Sequence, residues 1–140
     1  MLLKLITPER TIFEGEIQEL IVPTVSGEIA ILPHHMNLVT QITDGEVTIK
    51  ANDKNQHIAV TQGFLEVQHD TVSLLADFAV RSDEINMKEV LEAQKRAEEM
   101  LNTKRDDVAE RDFEAALRRA LVQVKVANRR HKQNHIAPKS

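Results

Sequence analysis

Through the first 83 residues apolar and polar positions alternate with a period of two, and beyond about residue 85 the repeat lengthens to that of an α-helix. Alternation or short β-branched runs at residues 3–7, 16–23, 28–32, 46–50, 57–61, 64–68 and 71–76 predict strands that bury one face. Turn-forming residues separate them: Ser26 and Gly27, Asp44 and Gly45, the stretch 52–55, Gly63, and His69 with Asp70. Residues 47–60 and 64–75 read as hairpins, the second closed by His69 and Asp70, both of which tolerate turn conformations. Seven or more short strands at roughly ten-residue spacing indicate a β-sandwich or flattened barrel. No long helical pattern interrupts them, which argues against a parallel α/β sheet.

In the second region Val90, Ala93, Ala97, Met100 and Leu101 fall on one helical face, with Lys and Glu opposite. Ser82 or Asp83 is the expected cap. Residues 102–107 contain no apolar side chain and read as a break. A second helix over 110–130 carries a seam of Phe113, Leu117, Ala120, Val124 and Ala127. Two such helices pack as an antiparallel hairpin. Its Ala-rich seam buries little apolar area, at ~0.8 kcal/mol per methylene, which suits a mobile element. The tail 131–140 has no periodicity and is expected to fray. The predicted architecture is α+β: an N-terminal flattened antiparallel β-sandwich (residues 1–84) followed by a C-terminal two-helix hairpin (residues 85–140).

Composition narrows the chemistry. The chain has 140 residues and no Cys, which removes disulfides, thiolate zinc sites and cysteine nucleophiles. Trp and Tyr are absent and there are four Phe, a poor supply of stacking platforms for single-stranded nucleic acid. Pro8 falls too early for a signal-peptide core, and no apolar run approaches the ~20 residues of a membrane span, so a soluble, cytosolic chain is expected. The net charge of −4 is unevenly spread: residues 1–84 hold five Lys/Arg against thirteen Asp/Glu, the remainder thirteen against nine. No acidic residue follows Glu114, whereas Arg118, Arg119, Lys125, Arg129, Arg130, Lys132 and Lys139 do. That basic stretch admits three readings: complement to the helix dipole, phosphate binding, or docking on an acidic protein surface.

Candidate chemistry is sparse. The four glycines never fall in a G-x-G-x-x-G or Walker spacing, which rejects a standard phosphate loop. His34 and His35 follow Pro33, but adjacent strand residues point to opposite faces and no third ligand lies near apart from Glu28, so a shared metal is disfavoured. No nucleophile elbow accompanies them. A turn with exposed histidines remains open beside a contact surface, since Ile31, Leu32, Met36 and Leu38 crowd around the break at Pro33.

The order of these features resembles the epsilon subunit of F-type ATP synthases, the subunit called delta in mitochondria. The resemblance covers nearly the whole chain. It rests on "TPER...F.GE", "GEIAILPHH.NLVTQI..G", "GFLEV....VSLLAD" and "AQKRAEE", in that order and spacing. It implies a non-catalytic central-stalk subunit of a proton-translocating ATP synthase, with catalysis in the alpha and beta subunits and no cofactor of its own. The sandwich would bind the gamma subunit and rest on the c-subunit ring, and the C-terminal helices would inhibit ATP hydrolysis by extending along gamma toward alpha and beta. Nucleic acid is not among the implied partners. Association with the membrane would come only through the complex, peripherally, at the cytoplasmic face of the bacterial plasma membrane.

Carried over residue by residue, the resemblance puts Glu28, Ile31, Leu32, Pro33 and His35 in the rotor-ring contact. His34 and Ala30 stand where glycine is common. Arg118, Arg119, Lys125 and Arg129 match the inhibitory helix that contacts beta and gamma. Some members bind ATP through I/L-D-x-x-R-A, but here Asn86, Glu89 and Val90 replace Asp, Arg and Ala. A glutamate facing phosphate reverses the sign of the interaction, so no nucleotide binding by that route is expected. The alternative from another class is a free-standing sandwich adaptor whose basic tail binds an acidic protein or RNA.

Overall fold

A computed structural model describes residues 1–103 and 106–136 of the chain. The hairpins form where local turn chemistry demands. Strand β6 (Gly45–Ala51) pairs antiparallel with β7 (Lys54–Val60) across Asn52 and Asp53, both at positive φ, 53° and 62°. Strand β8 (Gly63–Gln68) pairs with β9 (Thr71–Ala76) across His69 and Asp70, at 50° and 60°. Two consecutive left-handed residues make the turn whose twist matches the flanking strands. Gly63 admits no side chain: a Cβ there would overlap the Leu75 carbonyl oxygen across the ladder.

The remaining strands are β1 (Leu2–Ile6), β2 (Thr11–Glu16), β3 (Glu19–Thr24), β4 (Gly27–Ile31), β5 (Leu38–Ile42) and β10 (Ala79–Arg81). They run in the order β10-β7-β6-β3-β5-β8-β9-β1-β2, with β4 added to β3. All ladders are antiparallel except β1 with β9, so the expected antiparallel sandwich carries one parallel pair. The single strand expected over 16–23 is also corrected: the chain breaks at Ile17 and Gln18 into β2 and β3. Leu3, Leu5, Leu20, Val22, Ile31, Val47, Ile49, Ile58, Leu65 and Leu74 are fully buried and form one core between the layers.

Helix α1 (Met87–Leu101) starts at Asn86, whose Oδ1 accepts the Glu89 N–H at 3.3 Å. The cap is therefore neither Ser82 nor Asp83, because residues Ser82–Glu84 close a 3-10 turn first. Helix α2 (Asp107–Ile136) has 30 residues and begins with Asp106 Oδ1 accepting from the Ala109 N–H. The tail expected to fray continues this helix to Ile136; residues 137–140, and 104–105 of the expected break, lie outside the described residues.

The α1 helix packs along α2, and α2 crosses the outer face of β7 and β6. That crossing needs β7 to be apolar on both sides. Ile58 and Val60 enter the sandwich core, while Ala59 faces Val122 and Val126 of α2, with Val80 and Ile85 flanking. Burying two valines yields roughly 1.5–3 kcal/mol each at most, a modest grip for so long a helix.

Candidate functional site

Three surfaces hold the residues of interest. The first is the loop after β4. Glu28 is exposed on β4, and Leu32, Pro33 and His34 are exposed beyond it, with His35 half-buried. Ile31 is different: it is fully buried in the sandwich core, and so is removed from the expected contact set. The alternation of β4 turns it inward, opposite Leu20 of β3.

His34 adopts φ 66°, the left-handed region that glycine occupies without steric cost. Its N–H donates to Asp70 Oδ1 at 2.8 Å, and the His69 N–H donates to Asn37 Oδ1 at 3.4 Å, so the β8–β9 turn moors this loop. The bond from His34 holds the Asp70 carboxyl below its ordinary range. His35 donates its N–H to the Leu32 carbonyl at 3.1 Å, and its Nδ1 lies 2.7 Å from the Met36 carbonyl, which marks Nδ1 as the protonated nitrogen. Among the described residues no three His, Asp or Glu converge as a metal site would require.

The second surface was not foreseen. Among the described residues no helix packs across the outer face of β5, β8 and β9, which carries large apolar side chains: Val39 is 72% exposed, Phe64 54% and Leu75 45%. Phe64 and Leu75 are directly cross-strand neighbours, and Val25 lies at the edge of the same region. Together with Pro8 and Ile42 they line a groove of about 720 Å³ whose polar side is formed by Asp44, Asp77 and Arg118. Phe64, Leu75 and Val25 form an exposed apolar patch of the kind that suits docking, whereas Val39 stands beside Glu66 on the same face. Its sequence signal was an inverted alternation in β5, with Val39 outward and Thr40 inward.

The third surface is the basic side of α2, which the fold sets against the acidic sandwich. Arg118 donates to both Asp44 oxygens, at 3.0 and 2.8 Å, a bidentate pair that raises the Arg118 pKa. Arg119 sits over the Phe78 ring, 5.2 Å from its centroid, and 3.9 Å from Asp77. Arg129 lies 4.0 Å from Glu46, while Lys125 is exposed. The seam residues Phe113, Leu117 and Val124 are half-buried and Ala120 is buried.

Sequence reasoning missed Val122 and Val126, and counted Arg130 only within the basic stretch. These three form a second stripe at i, i+4 and i+8, masked because the same run also supplies the seam. Arg130 reaches Glu46 Oε1 at 3.1 Å and His57 Nε2 at 3.1 Å. At the start of α1, Asn86 is used as a cap, Glu89 is exposed and Val90 is buried.

Comparison with known proteins matches both halves. Residues 1–82 match the family described as ATP synthase, Delta/Epsilon chain, beta-sandwich domain, and residues 83–128 match its long alpha-helix domain. The ATP synthase epsilon chain of Dehalococcoides mccartyi is 40% identical over 135 residues, covering 96% of each chain. That of Moorella thermoacetica is 38% identical, covering 89% of this chain and 94% of its own. Among solved structures, a chain of the Euglena gracilis mitochondrial ATP synthase (OSCP/F1/c-ring, rotational state 1) superposes with a TM-score of 0.71 at 21% identity, covering 88% of this chain and 78% of that one. A chain of the Tetrahymena thermophila mitochondrial ATP synthase central stalk and c ring gives 0.58 at 13% identity, covering 90% and 95%. A sandwich and a helix pair that each match their own half of one family, in order, with epsilon chains aligned across nearly all of both, make this chain a member of the ATP synthase epsilon-chain family.

Proposed function

We propose that the chain is a non-catalytic rotor subunit of a proton-translocating F-type ATP synthase, with residues 1–84 as its attachment module and residues 85–140 as its regulatory module. The observation that carries this reading is the asymmetry of the sandwich: α2 covers the outer face of β6 and β7, whereas Val39, Phe64 and Leu75 leave the outer face of β5, β8 and β9 apolar and uncovered. The uncovered face is assigned to the gamma subunit. The exposed loop bearing Glu28, Leu32, Pro33 and His35 is assigned to the c ring, without Ile31. Catalysis stays with the alpha and beta subunits, and the chain joins the cytoplasmic face of the membrane only as part of the complex.

The helices are the regulatory part. In the folded-down arrangement Arg118, Arg119 and Arg129 are engaged by Asp44, Asp77 and Glu46 of this same chain. Contact with alpha and beta requires α2 to leave, exchanging these pairs and the Val122/Val126 packing for equivalents on the partners. Such an exchange demands only a few kcal/mol between the two arrangements. The engaged arginines also weaken the reading as an acidic-protein or RNA adaptor, since Arg118, Arg119, Arg129 and Arg130 are paired within the chain. At the start of α1 Asn86 serves as the cap, Val90 is buried, and the exposed Glu89 stands where the ATP-binding members carry arginine, which supports an ATP-insensitive helix pair.

The test is co-purification. The full chain carrying Phe64→Glu should lose stoichiometric gamma while remaining folded by circular dichroism. Retention of gamma at full stoichiometry would contradict the assignment of this face.

A further inference from the structure

The contact between α2 and the sandwich contains a group able to change charge near neutral pH. His57 lies on β7, 20% exposed, between Glu46 of β6, 7% exposed, and Arg130 of α2, 17% exposed. Its Nε2 is 3.1 Å from Arg130 Nη1. A guanidinium only donates, so Nε2 must accept and carry no proton. The imidazole proton is thereby assigned to Nδ1, which is 3.2 Å from both Glu46 Oε1 and Thr48 Oγ1.

Among the described residues the charged groups acting on this ring are Glu46 from β6 and Arg129 and Arg130 from α2; on the other side of β7, Arg81 of β10 directs its guanidinium to the Ile12 carbonyl. One carboxylate therefore serves two guanidiniums before any proton is added. The cluster is also incompletely satisfied, because Glu46 Oε2 and Arg130 Nε are buried without partners. A partly satisfied buried polar network is sensitive to one further change.

We propose that His57 is a pH-sensitive catch for α2: as a neutral imidazole it accepts from Arg130 and holds the helix on the sandwich, and as an imidazolium it releases it. Protonation at Nε2 turns the acceptor into a donor, so the Arg130 bond is lost and two cations face each other. The two alternatives for Arg130 are then Glu46 alone or solvent. The effect is independent of what α2 later touches, so it stands apart from the inhibitory reading.

The direction of linkage follows. Burial first, and the Arg130 charge second, lower the His57 pKa in the docked arrangement, while Glu46 opposes them. A group whose pKa is lowered on docking favours the docked state fully above its free value, near 6.5, and withdraws that support as pH falls below it. Acidification from about pH 7.5 to about 5.5 should release the helix while ordinary carboxylates, which titrate near 4, remain charged.

The absence of Cys makes the measurement direct, because two introduced cysteines carry the only labels. Spin labels at Lys54→Cys on β7 and Lys132→Cys on α2, both exposed positions of the full chain, report the helix-to-sandwich distance. The undocked fraction should rise at least about threefold over that pH interval. His57→Gln keeps one donor and one acceptor and should flatten the response with the docked distance retained. Arg130→Gln should raise the undocked fraction at every pH and also flatten its pH dependence. An unresponsive wild-type chain, or a His57→Gln chain that responds as the wild type does, would overturn the proposal.

Discussion

Arg118 and Asp44 are joined by two parallel hydrogen bonds, 3.0 and 2.8 Å, between residues 74 apart in sequence. The same Asp44 Oδ1 accepts the Gln62 N–H at 2.9 Å, which fixes the carboxylate before the arginine arrives. Helix α2 is thus held at Arg118, at the rim of the groove assigned to the gamma subunit, and further along at Arg129 and Arg130, by Glu46.

Both partners are partly exposed, so solvent screens the pair and its worth is below about 1 kcal/mol despite good geometry. Arg118→Ala should raise the undocked fraction severalfold in the spin-label assay without lowering the melting temperature of the sandwich measurably. The shift should shrink as salt is raised, since wild-type docking weakens too. A double-mutant cycle with Asp44→Ala isolates the pair.

Ala59 is fully buried in the helix crossing, packed with Val122 and Val126. Ala59→Leu inserts three carbons into that contact and should cost about 1–3 kcal/mol of docking. The expected signature is faster hydrogen exchange in residues of α2 and unchanged protection of β8 and β9, read by exchange mass spectrometry.

His34 supplies a backbone argument. At φ 66° a residue with a side chain is strained, and His34→Gly relieves this while giving the unfolded chain more freedom. The two effects oppose, and the left-handed cost is the larger, so thermal stability should rise by up to about 1 kcal/mol. Differential scanning calorimetry checks it; a fall in stability would mean the imidazole makes a compensating contact.

Asp70 gives a pH prediction with the opposite chemistry to His57. Its pKa is lowered in the folded chain, chiefly by the His34 N–H, so its contribution is present above its free value near 4 and is lost as pH falls through the folded value. Asp70→Asn should therefore lower the melting temperature at neutral pH. The gap from the wild type should close progressively below about pH 4, where the wild-type carboxyl also becomes neutral.

Legibility in the sequence followed locality. The hairpins across Asn52-Asp53 and His69-Asp70 were readable because the turn residues and the alternation sit within a few positions of each other. Strand β5 was not, since its apolar Val39 points outward to solvent and its polar Thr40 points in. Strand β10 is only three residues long, and β2 ends in Glu-Gly-Glu, which carries no apolar alternation. On α2 the seam was legible but Val122 and Val126 were hidden, because a helix that serves both α1 and the sandwich has apolar residues on two faces and no single clean period. Pairings such as Arg118 with Asp44, or Arg130 with Glu46, join distant segments and leave no local pattern. The family resemblance supplied partners for the loop at Glu28 to His35 but also drew in Ile31, whose burial depends on strand register.

The central claim is that the sandwich attaches the chain to its complex while the helices restrain hydrolysis. It is tested most directly by ATP hydrolysis of the assembled enzyme carrying either the full chain or a chain ending at residue 105, with equal gamma-to-epsilon stoichiometry verified in both preparations. The account predicts faster hydrolysis with the shortened chain still bound; equal hydrolysis rates with the shortened chain bound would contradict it.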